Sequence, residues 1–421
     1  MARLVPMTAS GTPLDLLTLA DVEAARDLLT GVVKRTPLIP SRPLSEITGV
    51  PVWLKCENQQ RAGSYKVRGA YTRIARLSDG ERARGVVAAS AGNHAQGVAL
   101  AAGLLGTRAT VFMPEGAPLP KVTATKGYGA AVEYAGTSVD DALEAAHEFA
   151  RSTGAVLIHP FDHADVIAGQ GTVALEILEQ CPETATIVTA VGGGGLVSGL
   201  AVAAKALRPD IRVIGVQASG AAAYPPSLAA GAPQKLDAGA TIADGINVLR
   251  PGDLTFAHVA KLVDEVVTVH DEDLSAALLV LLERHKTVVE PAGAAAAAAL
   301  LTGAYVPPGG PVVAILSGGN IDPMLLLRVI EHGLASAGRF LRLAVRCTDR
   351  PGQLAGLVRQ IAEHRANIVD VNHSRQSPRL SFGEVEVALS VETRGPAHSS
   401  ELISALRDAG YRVSLLADWT P

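Results

Sequence analysis

The sequence predicts an α/β fold followed by a smaller α+β unit. Three observations predict it. Apolar strand-length runs alternate with helix-length runs from about residue 50 to residue 325. These strands end in glycine-rich or polar turns, as ligand loops at the C-terminal ends of parallel strands do. Beyond residue 338 the pattern changes to strand, helix, strand, strand, helix, strand.

The elements follow in chain order. Val86–Ala89 is a short β-prone run, Gln96–Leu105 reads as a helix, and Ala109–Met113 as a strand ended by Pro114. Thr186–Val191 is a strand, then come four glycines and the helical Val197–Leu207. Arg212–Gln217 and Pro311–Leu316 are further strands, and Pro323–Gly333 is a helix. The last unit reads as strand Arg339–Cys347, helix Gln353–Glu363, strand Asn367–Ser374, strand Phe382–Glu392, helix Ser399–Asp408 and strand Tyr411–Leu416. This is a split βαβ order, and a boundary is expected near residue 338.

Composition narrows the function classes. The chain has 421 residues, 48% hydrophobic but only 4% aromatic, so Ala, Val and Leu must build the core. A formal net charge of −4 without blocks of like charge argues against nucleic-acid or anionic-membrane partners. Cys56, Cys181 and Cys347 are odd in number and far apart, which reads as reduced thiols in a cytoplasmic protein. Met1 to Leu17 makes a poor signal peptide, and the longest apolar run, Ala292 to Leu301, is half the ~20 residues of a spanning helix.

Four loops could carry chemistry. Lys66 lies in Gly63-Ser64-Tyr65-Lys66-Val67-Arg68-Gly69, where small residues would let a planar ligand approach the backbone. A free lysine has a pKa of about 10.4 and becomes a nucleophile only when desolvated or held as a Schiff base. Taken alone, Lys66 reads more readily as a surface lysine beside a turn. Gly192-Gly193-Gly194-Gly195 sits between a strand and a helix, where glycines and free N–H groups favour an anion. No Gly-Lys-Ser/Thr follows, and Gln217 ends the next strand where a dinucleotide fold would want an acid, so the loop suits a small monophosphate. Ser90-Ala91-Gly92-Asn93-His94 also opens a helix and could cradle a carboxylate, although Asn93 alone reads first as an N-cap. Ser317-Gly318-Gly319-Asn320 closes a strand, where a lone serine is usually a turn residue. Glu290 before Pro291 reads as a helix-start acid. His159-Pro160-Phe161-Asp162-His163 reads as a rigid loop, and no metal is expected.

Together these motifs resemble the fold-type II pyridoxal-phosphate enzymes (tryptophan synthase beta-like, with two α/β subdomains), and specifically the threonine/serine dehydratases. The resemblance covers about residues 15–335. It rests on Lys55-Cys56-Glu57-Asn58, the Lys66 segment through Ala70, Ser90 through Gly97, Ile167-Ala168-Gly169-Gln170-Gly171-Thr172, and Ser317 through Asn320. It implies a catalytic domain over residues 1–338, with a smaller mobile subdomain at about 60–155. It implies that Lys66 holds pyridoxal 5'-phosphate as a Schiff base and acts as base at Cα, and that Asn93 bonds the ring hydroxyl. Gly192, Gly193, Gly194, Gly195 and Leu196 would bind the phosphate and Ser317 the pyridine nitrogen. Ser64, Ser90, Gly92 and His94 would surround the substrate, with Ser90 among the catalytic residues. The implied reaction takes threonine (or serine) to a 2-oxo acid and ammonia.

Three departures bear on this. Tyr65 stands where the family commonly has Phe, so its hydroxyl needs a partner or solvent. Ala91 stands where serine racemases have a hydroxyl, which favours elimination over racemisation. Gln217 and Ala223 are poor ligands for the divalent cation some relatives bind.

Residues 339–421 resemble the ACT family of amino-acid-sensing domains, a ferredoxin-like α+β fold. Asp349-Arg350-Pro351-Gly352-Gln353-Leu354 and Ala366-Asn367-Ile368 carry that resemblance. It implies feedback by a branched-chain amino acid, isoleucine first, in a homodimer or homotetramer acting early in isoleucine biosynthesis. A degradative serine/threonine dehydratase, a serine racemase and a non-enzymatic amino-acid sensor stay open as alternatives.

Overall fold

The structure is a computed structural model that describes residues 15–336, 338–376 and 380–416. Residues 1–14, on which most of the signal-peptide expectation rests, lie outside the described residues. Contacts divide the chain into two units after Pro323.

The strands of the first unit are β1 (Leu38–Pro40), β2 (Val52–Lys55), β3 (Val86–Ala89), β4 (Ala109–Met113) and β5 (Ala131–Tyr134). They continue as β6 (Val156–Leu157), β7 (Thr186–Ala190), β8 (Arg212–Ala218), β9 (Glu265–Val269) and β10 (Val312–Ile315). Its helices begin with α1 (Leu19–Leu29), α2 (Arg42–Thr48), α3 (Lys66–Ala75), α4 (Asp79–Arg84), α5 (Asn93–Leu104), α6 (Leu119–Gly127) and α7 (Val139–Thr153). They end with α8 (Ala164–Gln180), α9 (Gly195–Leu207), α10 (Tyr224–Ala230), α11 (Asp253–Leu262), α12 (Asp271–His285) and α13 (Pro291–Thr302).

Two sheets result. The larger has the order β1-β2-β10-β7-β8-β9, parallel except for the edge pair β1–β2. The smaller has the order β5-β4-β3-β6 and is parallel throughout. Parallel pairing brings the loops after β2, β10, β7 and β8 to one edge of the large sheet, and those after β3 and β6 to one edge of the small sheet. The core is mainly aliphatic, as the scarcity of aromatics requires: Val173, Ile177, Ile187, Leu200 and Val213 are buried about the large sheet, and Val86, Val98, Val111 and Met113 about the small one.

Small residues let the central helices close up. A Cβ on Gly69 of α3 would lie 2.8 Å from the Val166 carbonyl, and one on Gly169 of α8 would lie 2.6 Å from the Arg68 carbonyl. Buried ions root the same helices. Arg68 pairs with Glu57 at 2.8 Å and Glu176 at 2.7 Å, and Lys55 pairs with Glu176 at 2.6 Å. Burial pushes the Glu176 carboxyl up, but Arg68 and Lys55 outweigh it and hold the group below its ordinary range. The Lys55–Glu57 motif is thus a foundation under the loop that carries Lys66.

The second unit contains α14 (Pro323–Ser336, counted here from Met324), β11 (Phe340–Thr348), α15 (Gln353–Glu363), β12 (Asn367–Ser374), β13 (Glu384–Glu392), α16 (Pro396–Asp408) and β14 (Arg412–Leu415). Its antiparallel sheet has the order β12-β13-β11-β14, the ferredoxin-like arrangement. Leu343, Val345, Leu357, Val387, Val391 and Leu402 form its core. Cys56 and Cys181 are buried and Cys347 half-buried, all as free thiols. Among the described residues no helix is long and apolar enough to cross a membrane.

Candidate active site

The predicted loops meet in the first unit, linked by a ring of contacts. The Lys66 segment joins the β10 loop: Tyr65 N donates to Ser317 O at 3.2 Å, Gly319 N donates to Gly63 O at 2.9 Å, and Ser64 bridges Gly318. That loop meets α5, since Asn320 Nδ2 donates to Asn93 Oδ1 at 2.7 Å. Glu290 joins both, accepting from Asn93 Nδ2 with its carboxylate and donating its backbone N–H to Gly318 O. Gly245 packs between Glu290 and Gly192. The ring closes through the loop after β6, where Pro160 O accepts from Lys66 Nζ at 2.9 Å and Phe161 packs under Gly193 and Gly195.

Lys66 opens α3. Crowding by protein pulls its amine pKa down to about 8, only partly opposed by Glu290. Its surroundings, not its sequence neighbours, distinguish it from a surface lysine.

The glycine run opens α9. Gly193 and Gly194 are buried, and among the described residues the N–H groups of Gly192, Gly193 and Gly194 have no hydrogen-bond partner. Gly194 has φ +98°, and a Cβ there would collide with the Tyr224 hydroxyl. Buried N–H groups are almost always paired, so orphans beside a helix start mark a place for an anion. Leu196 is different: its side chain is buried in the core of the large sheet, leaving only its backbone for the loop.

At α5 the capping reading of Asn93 gives way. Gly92 is the N-cap, while the Asn93 amide spans Glu290 and Asn320. Ser90 Oγ accepts from Gly92 N at 3.1 Å, which tightens the turn. His94 is buried with Nε2 at 2.8 Å from the Ile158 carbonyl. Burial pushes its pKa down to about 3, with Lys66 adding to the shift, so the ring is neutral at physiological pH. A carbonyl only accepts, so Nε2 carries the hydrogen and Nδ1 is left as an acceptor.

Ser64 is fully buried, and among the described residues its hydroxyl has no hydrogen-bond partner. Ser317, 4% exposed, is held through its backbone, where its carbonyl accepts from Tyr65 N. Burial pushes the Tyr65 hydroxyl pKa upward, so it remains protonated. The residues therefore fit an aromatic aldehyde with an anionic tail: a poised amine, unpaired N–H groups and the Ser64 hydroxyl belong to one ring of loops.

Sequence reasoning missed Glu290 as a site residue. It stands at the N-cap position of α13, but its carboxyl makes no capping bond and reaches Asn93 instead, and burial holds its pKa above the ordinary range. In the His159–His163 loop, His159 Nδ1 accepts from Asp162 N at 2.7 Å, and Asp162 accepts from Asp253 N and Thr255 N at 3.0 Å. Gln217 is likewise used internally, accepting from Tyr224 N at 2.8 Å.

Residues 29–318 match the family model described as pyridoxal-phosphate dependent enzyme. The chain is 46% identical over 401 residues to an L-threonine ammonia-lyase of Thermotoga maritima, covering 95% of this chain and 100% of that one. Among solved structures, maize serine racemase is similar with a TM-score of 0.72 at 38% identity, covering 76% of this chain and 99% of that chain. Threonine deaminase isoform 2 of Solanum lycopersicum, in its processed form, gives 0.71 at 38% identity, over 75% of this chain and 86% of that chain.

Proposed function

The chain belongs to the pyridoxal-phosphate dependent enzymes, and from that membership we propose that it is an L-threonine ammonia-lyase, converting L-threonine to 2-oxobutanoate and ammonia. The observation that carries the proposal is a depressed-pKa lysine joined, through the Pro160–Phe161 loop, to buried glycine N–H groups that are unpaired among the described residues. The relatives' names support threonine as the substrate.

Bound pyridoxal phosphate supplies an aldehyde and an electron-withdrawing ring that lowers the cost of negative charge at Cα. Gly192 to Leu196 would hold its phosphate through backbone N–H groups, Asn93 its ring hydroxyl and Ser317 its ring nitrogen. A neutral serine hydroxyl does not force that nitrogen to be protonated, as a carboxylate would. Lys66 tethers the cofactor and, once freed, takes the Cα proton at Nζ; with a pKa of about 8 a useful fraction is unprotonated near neutrality. Ser64 and Ser90, with the Gly92 turn, face the substrate carboxylate. His94 Nδ1, an acceptor, suits the β-hydroxyl hydrogen and not the carboxylate. The β-hydroxyl leaves Cβ as water by taking up the proton that Lys66 Nζ removed from Cα, and the released enamine takes up water to give the oxo acid and ammonia, so the atoms balance. Ala91 has no proton to return to Cα, which supports elimination over racemisation.

The test is 2-oxobutanoate formation by purified protein supplied with pyridoxal phosphate and L-threonine. Turnover that vanishes in Lys66→Ala is expected; an inert wild type refutes the proposal. Serine should also react, since one methyl in a pocket is worth about 1–3 kcal/mol.

We further propose that residues 339–421 are an ACT-like regulatory domain that binds a branched-chain amino acid, isoleucine first, which would suit an early step of isoleucine biosynthesis. Support comes from the strand order and from a cleft at the β11–α15 turn, lined by Asp349 to Leu354, His373 and Arg375. Arg375 there pairs with Asp349 at 2.9 Å. Isoleucine that leaves the threonine dependence of the rate unchanged would refute it. Three free thiols suit a cytoplasmic setting.

A further inference from the structure

The glycines that admit an anion also leave the loop free to turn the wrong way. Flanked by residues without side chains, the Gly193–Gly194 peptide can flip at little steric cost. A flip would exchange its N–H for its carbonyl oxygen and present negative charge to the anion. Something outside the glycine motif must select one orientation.

Two buried hydroxyls meet at that peptide. Thr255 Oγ1 of α11 donates to Gly193 O at 2.6 Å, and Tyr224 Oη of α10 donates to the same oxygen at 3.2 Å. Both residues are 0% exposed. Each is braced through its own backbone: Tyr224 N donates to Gln217 Oε1 at 2.8 Å, and Thr255 N to Asp162 Oδ1 at 3.0 Å. Burial pushes the Tyr224 pKa upward, so its hydroxyl remains a donor. In a planar trans peptide the carbonyl and N–H point in opposite directions, so a clamp on Gly193 O fixes where Gly194 N–H points.

We propose that Tyr224 and Thr255 are positioning residues that aim the Gly194 N–H at the phosphate of the bound cofactor by clamping the Gly193 carbonyl. This rests on the reading of the glycine loop as the phosphate site. It also gives the loop at His159–His163 and Gln217 a purpose that no motif conveys: Asp162 and Gln217 hold the clamp in place.

The experiment compares binding of pyridoxal 5'-phosphate and of pyridoxal, which lacks the phosphate, to full-length protein by the visible absorbance of the bound aldehyde. Variants are Thr255→Val, Tyr224→Phe, Thr255→Ser and the double Thr255→Val/Tyr224→Phe. Thr255→Val is expected to weaken the phosphorylated ligand about fivefold, and Tyr224→Phe less because its bond is longer. Pyridoxal binding should stay unchanged, Thr255→Ser should restore the phosphate preference, and the double variant should lose most. Equal weakening of both ligands, as a general packing defect would produce, overturns the inference, and so does no change in either. A wild type that does not prefer the phosphorylated ligand overturns the phosphate-site reading itself, and the inference with it.

Discussion

The starts of α9 and α5 both follow a parallel strand and both belong to the ring of site loops, yet they present different surfaces. At α9 the loop offers bare backbone: buried N–H groups without partners, a left-handed Gly194, and a carbonyl clamped from behind. At α5 it offers side chains already engaged: Asn93 between Glu290 and Asn320, His94 on Ile158 O, Ser90 on Gly92 N. The first arrangement is preorganised for one anion and tolerates no added volume. The second works through hydrogen bonds that can be lost singly. One site is therefore broken by bulk, and the other by removing a partner.

The contrast is sharpest at Gly194→Ala. The added methyl meets the Tyr224 hydroxyl and the residue must hold φ +98°, so cofactor affinity should fall on the order of 100-fold. A loss under threefold in a binding titration would show that the loop can move aside. Asn93→Ala adds no bulk but leaves the Glu290 carboxyl buried without its donor, a cost of about 1–3 kcal/mol. It should lower kcat and melting temperature together, whereas Gly194→Ala should act mainly through cofactor binding. The pH dependence follows from Lys66: condensation of its amine with added pyridoxal should reach half its limiting rate near pH 8, because the free amine reacts. A midpoint above 10 would mean that the amine is solvated.

The sequence made the two helix starts unequally legible. Strands β3 and β4, helix α15 and strand β12 have the expected bounds, because their apolar periodicity is set by local packing. Helix α9 begins at Gly195, ahead of the expected Val197, and α5 at Asn93, ahead of Gln96, since glycine and polar residues disguise a first turn. Strand β2 went unread because it ends in the buried Lys55, whose charge is matched by the distant Glu176. Lys66, Asn93, the glycines and Ser317 stood in recognisable motifs. Glu290, Tyr224 and Thr255 did not: each acts through a contact made in three dimensions, and their neighbours in sequence carry no trace of it. The one available hint was an acid directly before Pro291, which reads equally as a cap.

Glu290 provides the finest discrimination between the two starts, because its carboxyl belongs to α5's hydrogen-bond chain, whereas Thr255 and Tyr224 make the clamp on Gly193. Burial raises its pKa above the ordinary glutamate value of 4.5, while Asn93 and Lys121 pull it back. In the window from about 4.5 up to the folded-state pKa, the native protein holds a proton that the unfolded chain has lost, so stability falls as pH rises through it. Glu290→Gln removes that slope while its amide oxygen can still accept from Asn93. Relative to wild type, the variant should therefore gain melting temperature as pH rises from 4 towards 7, with phosphate preference unchanged, because α9 does not depend on this carboxyl. If the variant instead loses stability with rising pH, the carboxylate is stabilised by its partners more than it is penalised by burial. Asn93 would then be held by a charge and not by a neutral acceptor.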